Sequence, residues 1–235
     1  MAEISKTPDV SEIRAPESEN YKDIKPQGDI SVDEARSFLN DLFNNETAFT
    51  DKDDTGKKPT DVAEQQNPHQ EIKDGKTYYY DDNGELYRVD NELMPNSEYE
   101  INEYKYKTDE NGRIVSAEGR LHLKEHDGRL PIRDSLEDIG KGDEQSGDDR
   151  GHLIGDQFDG SNGLENMIPQ DADINRNDYK KLETELAKEV KDGKEVYVKI
   201  EPVYDGDSRR PSAIAVTYSV DGKESVRVFP NGKEG

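Results

Sequence analysis

The feature that most constrains the fold is a series of short segments, from about residue 76 onward, in which aromatic and β-branched residues alternate with polar ones. Asn-Gly or Asp-Gly pairs separate several of them, at Asn83-Gly84, Asn111-Gly112 and Asp221-Gly222. Alternation with a period of two is typical of strands that bury one face, and these dipeptides are favoured in two-residue hairpin turns. The sequence therefore predicts antiparallel hairpins, among them TYYYDDNGELYRV and EYEINEYKYKTDENGRIVSAEGRLHL.

One segment of this region has helical spacing instead. NDYKKLETELAKEVKDG repeats its apolar residues every three or four positions and stops at Asp192-Gly193, a typical C-terminal cap. Its apolar side consists of Tyr179, Leu182, Leu186 and Val190. Residues 125–170 carry scattered Gly, Asp and Asn and are predicted to be rich in loops, whereas EVYVKIEPVY, SAIAVTYSV and ESVRVF are predicted strands. The order strands, loop, helix, strands predicts an α+β domain with a mainly antiparallel sheet.

Residues 1–70 differ in composition and are predicted to form a largely disordered acidic leader. They carry sixteen acidic and eight basic side chains and few large apolar residues, so little apolar burial would offset the entropy cost of ordering them. The exception is SVDEARSFLNDLFNN, where Ser31 and Glu34 have capping-box spacing. We therefore predict a short helix near residues 32–44, either a docking helix without chemistry or a recognition helix for a partner or for export. The predicted domains are 1–70 and 71–235.

The charge of the chain excludes several classes of function. The net charge is -23, and residues 71–235 alone carry 39 acidic and 24 basic side chains. Attraction to nucleic acid by bulk charge needs clustered Lys and Arg, so any contact with a polyanion must be local or assisted by a metal. No apolar run is long enough to span a membrane, and the first residues lack the apolar core of a secretory signal. Because the chain has no Cys, zinc sites with Cys ligands and Cys nucleophiles are excluded.

The segment DDRGHLIGDQFDGSNGLENMIPQDADINRNDYKKLE, residues 148–183, carries the candidate chemistry. His152 follows an Arg-Gly pair, and Asn166, Asn175 and Glu183 come after it in order. Metal-dependent hydrolysis of a phosphodiester needs a base for water, an oxygen ligand for a hard cation and a positive group near the phosphate. His152 can supply the first, Asn175 or nearby carboxylates the second, and Arg150 the third.

Each of these residues also has a purely structural interpretation. His152, taken alone, could be a structural or surface histidine. Asn166 could stabilise a turn and Asn175 could cap a helix, since Asn is favoured at both places. Glu183 could be a solvated charge that pairs with a neighbouring lysine on its helix. Only the ordered set of residues favours catalysis; Arg133 is a weaker candidate for a second phosphate contact.

The ordered set resembles a known motif. Asp149-Arg150-Gly151-His152, followed by Asn166, by Asn175-Arg176 and by Leu182-Glu183, resembles the DNA/RNA non-specific endonucleases of the ββα-metal, or His-Me finger, fold. Over roughly residues 95–230 the chain is similar to the branch used as nuclease toxins of type VII secretion systems in Gram-positive bacteria. The resemblance implies a magnesium-dependent endonuclease that hydrolyses DNA and RNA, with Mn²⁺ as the alternative metal.

The resemblance also implies where the protein acts. It implies a toxin domain that is secreted without a cleavable signal peptide, by type VII-like export, and that stays in the cytoplasm while a cognate immunity protein holds it. The acidic surface fits a basic protective partner of that kind. No membrane insertion is expected, and the sequence makes no prediction of the oligomeric state.

The resemblance assigns a role to each residue of the set. His152 is the general base, Asn175 the metal ligand, Asn166 a support of the site, Glu183 the holder of a water in the metal shell, and Arg150 the phosphate contact. Magnesium keeps several waters, so one Asn carbonyl is a compatible protein ligand. On one regular helix Asn175 and Glu183 would lie about 12 Å apart along the axis. We therefore expect Asn175 in an irregular turn before the helix and Glu183 to act through water.

A function of another class is also compatible with the charge. A chain with 55 acidic residues could be an acidic binding protein that mimics DNA and occupies a basic partner, with a non-catalytic nuclease-like fold. Incubation with plasmid DNA and magnesium, with and without a chelator, distinguishes an enzyme from such a mimic.

Overall fold

A computed structural model describes residues 69–232 of the protein, except residues 126, 127, 129 and 130. The predicted leader, apart from its last two residues, lies outside the described residues, and so does its predicted helix. The strands are β1 (His69–Lys73), β2 (Lys76–Tyr80), β3 (Leu86–Val89), β4 (Glu92–Leu93), β5 (Glu98–Ile101), β6 (Tyr104–Thr108), β7 (Ile114–Arg120), β8 (Asp148–His152), β9 (Met167–Asp171), β10 (Val196–Tyr204), β11 (Pro211–Val220) and β12 (Lys223–Pro230). The α-helices of the described residues are α1 (Leu136–Gly140) and α2 (Lys180–Lys191).

The strands form three antiparallel sheets within the described residues. The largest has the order β12-β11-β10-β7-β6-β5, the second has the order β1-β2-β3-β4, and β8 pairs with β9 alone. Helices are few, so the prediction of an α+β domain with mainly antiparallel sheets is confirmed.

The predicted hairpins are present. β2 pairs with β3 across Asn83-Gly84, and β6 pairs with β7 across Asn111-Gly112. Gly112 has a φ of +70°, and a Cβ there would lie 2.7 Å from the carbonyl oxygen of Leu93. Only glycine satisfies both conditions without strain, which explains why this turn has the Asn-Gly pair.

The predicted helix packs on the largest sheet. α2 continues a π-helical turn, Ile174–Tyr179, and ends before Gly193, as predicted. Its buried residues share a small apolar pocket with residues of β10 and β11: Tyr179, Leu182, Leu186, Val198, Ile200 and Val216. Burial of each such side chain is worth about 1.5–3 kcal/mol. This packing fixes the helix, and with it Asn175 and Glu183, relative to the sheet.

Residues 125–170 are rich in loops, but they also contain α1 and two strand segments that the sequence did not predict. DDRGH forms β8 and MIPQD forms β9, and His152 lies opposite Met167 in their register. DDRGH has no alternation of β-branched residues, so its strand depends on pairing with β9, whose five residues are all buried. Tertiary pairing therefore creates the hairpin that carries the motif. No helix of the described residues is long and apolar enough to cross a bilayer.

Candidate active site

His152 lies at the end of β8 and is only 7% exposed. Its Nε2 atom is 3.0 Å from Oδ1 of Asn162. With the amide oxygen as acceptor, Nε2 carries the proton, and the neutral imidazole then has its lone pair on Nδ1. Asn162 therefore fixes the tautomer of the candidate base. Asn162 could not be singled out from the sequence, because one Asn in a Ser-Asn-Gly turn has no distinguishing pattern.

Asn166 organises the loop that follows His152. Its side chain is completely buried. Oδ1 accepts a hydrogen bond from the backbone N–H of Ile154 at 2.9 Å, and Nδ2 donates to the carbonyl oxygens of Ile154 and Ser161, both at 2.8 Å. Every one of these three bonds goes to the backbone of the 154–161 loop, so Asn166 acts on the candidate site through the loop's shape.

Asn175 is attached to the first residue of the DRGH motif. It lies in the π-helical turn, and its Nδ2 donates to Oδ2 of Asp149 at 2.9 Å. Arg176 makes two further bonds to the same carboxylate, from Nε at 2.8 Å and from Nη2 at 2.6 Å. The hydrogen bond to Asp149 raises the pKa of the Arg176 guanidinium. Asn175 thus precedes α2, as expected, but it lies in a widened helical turn rather than in a coil.

Glu183 approaches the chain three residues after His152. A Cβ on Gly155 would lie 2.1 Å from Oε1 of Glu183, so the carboxylate occupies the space that any larger residue would fill. Lys180 binds the other oxygen, Oε2, at 3.1 Å. The lysine pairing considered above therefore exists, while Oε1 lies against the loop beside the candidate base.

Arg150 is exposed and lies on the same face of β8 as His152, because side chains two positions apart in a strand point the same way. Its Nη1 donates to the carbonyl oxygen of Asp134 at 3.0 Å. This bond anchors the guanidinium, which remains at the surface, where a phosphate can approach it.

A buried charge network supports the same loop and was not predicted. Arg88 binds both carboxylate oxygens of Asp134, at 2.9 and 2.5 Å, and lies 3.5 Å from Glu165. Desolvation lowers the pKa of Arg88, but the hydrogen bond and charge of Asp134 outweigh it, and the net pKa is raised. Arg133 binds Glu165 at 2.5 Å, and its side chain remains half-exposed. The structure shows Arg133 paired with Glu165 inside the protein. Its role as a second phosphate contact remains a prediction.

The family of the chain follows from comparison with known proteins. A family model for DNA/RNA non-specific endonucleases matches residues 95–222, a range that contains the motif, both asparagines and Glu183. The chain belongs to the DNA/RNA non-specific endonuclease family. The matched residues are an endonuclease domain of a family that hydrolyses phosphodiester bonds.

Curated relatives of this endonuclease include the type VII secretion system protein EssD of Staphylococcus aureus. The chain is 35% identical to it over 133 residues in strain USA300, and the same holds for strains NCTC 8325 / PS 47 and Newman. The match covers 54% of the chain but only 21% of each relative. The chain therefore corresponds to about a fifth of the length of these proteins.

The family generally depends on a divalent metal, and the residues of this endonuclease fit a hard cation. Asp149 holds Nδ2 of Asn175, so the amide oxygen points away from that carboxylate. Amide and carboxylate oxygens are ligands that Mg²⁺ accepts, and Asn175 and Glu183 carry one of each kind. Among the described residues no group of three or more His, Asp or Glu side chains could hold a metal. A site with one amide ligand and several waters does not require such a group.

Proposed function

We propose that this endonuclease is a magnesium-dependent, sugar-nonspecific nuclease that hydrolyses phosphodiester bonds of DNA and RNA. The observation that carries the proposal is the attachment of Asn175 to Asp149, because it brings the candidate metal ligand to the motif that contains the candidate base. Membership of the family supports the reaction class.

We also propose that β8, β9 and the helix that follows them form the ββα-metal core of the family. The two strands are antiparallel neighbours, and the helical segment of the π-turn and α2 comes next along the chain. The motif residues lie on the first strand, and Asn175 and Glu183 lie on the helical segment. This order of elements and residues supports the assignment.

In the proposed reaction, His152 removes a proton from a water molecule at Nδ1 while Nε2 keeps its hydrogen bond to Asn162. The water oxygen forms a bond to phosphorus, the bond from phosphorus to the 3′ oxygen breaks, and the proton remains on the imidazole. Asn166 holds the loop that positions these groups. Glu183 accepts hydrogen bonds from nearby waters and orders them.

Asn175 would hold the metal through Oδ1, and Glu183 would act on it through water. When bound, Mg²⁺ would stabilise the negative charge that develops on the phosphate and on the departing 3′ oxygen. Asp149 contributes by fixing the orientation of the Asn175 amide.

Substrate binding in this proposal uses a few arginines rather than a basic surface. Arg150 is the phosphate contact, and Arg133 and Arg176 are half-exposed or more. Contacts to phosphate and sugar do not distinguish one base sequence from another, so this binding is compatible with nonspecific cleavage. The net negative charge of the domain opposes long-range attraction to nucleic acid. A rise in salt concentration should therefore reduce the affinity for nucleic acid less than it does for a basic nuclease.

We further propose that the chain is the toxin domain of a secreted antibacterial protein. The similarity to EssD, a protein of a type VII secretion system, supports export by that route. A cognate immunity protein with a basic face would protect the producing cell, because it would complement the acidic surface of the domain.

The test is cleavage of supercoiled plasmid DNA and of a long RNA by the purified full chain, with magnesium and with magnesium plus EDTA. His152→Ala, purified in the same way, controls for contaminating nucleases. The proposal predicts cleavage of both substrates by the unaltered chain only when free magnesium is present. Equal cleavage by the His152→Ala protein, or none by either, contradicts it.

A further inference from the structure

The hairpin that carries the motif is a sheet of two strands. Within the described residues β8 and β9 pair only with each other, and an isolated pair of strands is marginally stable at best in water. Asp148 begins β8 and lies opposite Asp171, which ends β9. These two residues mark the end of the hairpin that leads to the π-helical turn. Contacts at this end therefore decide how the hairpin and the turn sit on the largest sheet.

Arg210, the residue before β11, holds the β8 side of this end. Its Nε donates to Oδ2 of Asp148 at 2.7 Å, and its Nη2 donates to Oδ1 at 2.8 Å. The two side chains are only 8% and 2% exposed. A guanidinium that binds both oxygens of a carboxylate fixes their orientation as well as their distance. The start of β8 is therefore fixed to the start of β11.

Asn231, the residue after β12, holds the β9 side and is 2% exposed. Its Oδ1 accepts a hydrogen bond from the backbone N–H of Asp171 at 2.8 Å. Its Nδ2 donates to the carbonyl oxygens of Pro169, at 2.9 Å, and of Pro211, at 2.8 Å. An amide has one oxygen and two N–H donors, so these bonds use all of its groups. Asn231 thus joins the end of β9 to the start of β11.

The two contacts form one unit. Nη1 of Arg210 donates to the carbonyl oxygen of Asn231, and the backbone N–H of Asn231 donates to the carbonyl oxygen of Ser212 at 2.8 Å. We call Asp148, Arg210 and Asn231 the hairpin clamp. It attaches both strands of the hairpin to the same end of β11 and β12.

The hairpin clamp continues into the turn that carries the candidate metal ligand. The Oδ1 atom of Asp171 accepts hydrogen bonds from the backbone N–H groups of Asp173, at 2.9 Å, and of Ile174, at 3.3 Å. Asn175 is the next residue. Asn231 therefore holds the backbone of the residue whose carboxylate begins the π-helical turn.

We propose that Arg210 and Asn231 are positioning residues for the metal ligand Asn175. They hold the hairpin and the π-helical turn in the arrangement in which Asn175 meets Asp149. The inference rests on the proposed function, because Asn175 is a metal ligand only there. It also extends the functional unit to Asn231, beyond the residues 95–222 that match the family model.

The first measurement is hydrogen exchange of the full chain without metal, followed on peptides by mass spectrometry. Asn231→Ala removes the acceptor for the N–H of Asp171 and releases this end of the hairpin. Peptides that cover β9 and the start of the π-helical turn should therefore exchange at least about tenfold faster, because the segment opens locally. Peptides from β6 and β7 should exchange at the unaltered rate.

The second measurement is the magnesium midpoint of single-turnover cleavage. Loss of a group that directly supports a metal ligand costs about 10–100-fold in metal affinity, and Asn231 acts one step further away, so Asn231→Ala should raise the midpoint about three- to tenfold. A residue that only stabilises the fold would lower the maximal rate and leave the midpoint unchanged. Arg210→Lys keeps the charge but loses the two-point contact with Asp148, and should move the midpoint in the same direction. This variant tests the proposal even if Asn231→Ala does not fold.

Thr108→Ala is the matched control. Thr108 is 7% exposed, and its hydroxyl accepts from the N–H of Ser97 and donates to the carbonyl oxygen of Met94, outside the hairpin. This variant should change neither the hairpin exchange nor the midpoint. Unchanged hairpin exchange in Asn231→Ala, an unchanged midpoint in the folded clamp variants, or equal changes in Thr108→Ala would overturn the proposal. Cleavage by the unaltered chain without magnesium would instead contradict the proposed function, and the exchange measurement would still decide whether the hairpin clamp holds the turn.

Discussion

Replacement of Asn166 by alanine should cost stability before it affects chemistry. The substitution leaves three buried backbone groups without their partners, namely the N–H and C=O of Ile154 and the C=O of Ser161. Each buried group left unsatisfied costs about 1–3 kcal/mol, so the sum is about 3–9 kcal/mol. A whole domain has a free energy of unfolding of about 5–15 kcal/mol. Asn166→Ala should therefore lose a large share of the stability of the protein.

Urea unfolding followed by circular dichroism measures this loss as a lower midpoint at an unchanged slope. Asn177→Ala is the matched control, because Asn177 is exposed in the π-helical turn, and it should stay within about 0.5 kcal/mol of the unaltered protein. If Asn166→Ala lowers the free energy of unfolding by less than about 1 kcal/mol, the loss is well below the cost of three unsatisfied groups. The interpretation of Asn166 as the support of the loop would then be wrong. Loss of nuclease activity in such a stable variant would instead indicate a direct catalytic role.

Three further substitutions test the supports of the candidate site. Asn162→Ala removes the hydrogen bond between Asn162 and Nε2 of His152 and should slow plasmid cleavage about two- to tenfold, the equivalent of about 0.5–1.5 kcal/mol; a loss as large as that of His152→Ala would contradict a positioning role. Arg88→Met leaves the Asp134 carboxylate buried without the cation that binds both of its oxygens, removes the more distant of the two cations near Glu165, and should lower the free energy of unfolding by about 3–5 kcal/mol in urea; a loss below about 1 kcal/mol would contradict this role of Arg88. Gly155→Ala should displace the Glu183 carboxylate and reduce the cleavage rate, whereas Gly232→Ala, with open space around it, should not; equal rates for both variants would separate Glu183 from the reaction.

The sheets on either side of the candidate site could be predicted from the sequence because their patterns are local. Asn-Gly turns and alternation specify the hairpins of β2 with β3 and of β6 with β7, and apolar spacing specifies α2. These signals act over a few neighbouring residues. The β8–β9 hairpin lacks such a signal, because DDRGH is charged and becomes a strand only through its partner.

The candidate site shows the same division. His152, Asn175 and Glu183 could be singled out by type and order, since a base, an amide oxygen and a carboxylate are the groups that metal-dependent hydrolysis needs. The residues that support them could not be singled out in this way. Asn162 and the pair of Arg88 with Asp134 are ordinary polar residues in sequence, and the fold brings Arg88 and Asp134 together from positions 46 residues apart.

His152 is proposed to act on the proton and Asn175 on the metal, and a magnesium titration of cleavage separates these two roles. Single-turnover rates on a labelled oligonucleotide are measured for the unaltered chain, His152→Ala and Asn175→Ala over a wide range of magnesium concentration. His152→Ala should lower the maximal rate by a factor of about 10²–10⁴ with an unchanged magnesium midpoint. Asn175→Ala should move the midpoint to higher magnesium. An unchanged midpoint for Asn175→Ala, or a His152→Ala protein with the full maximal rate, would contradict these roles.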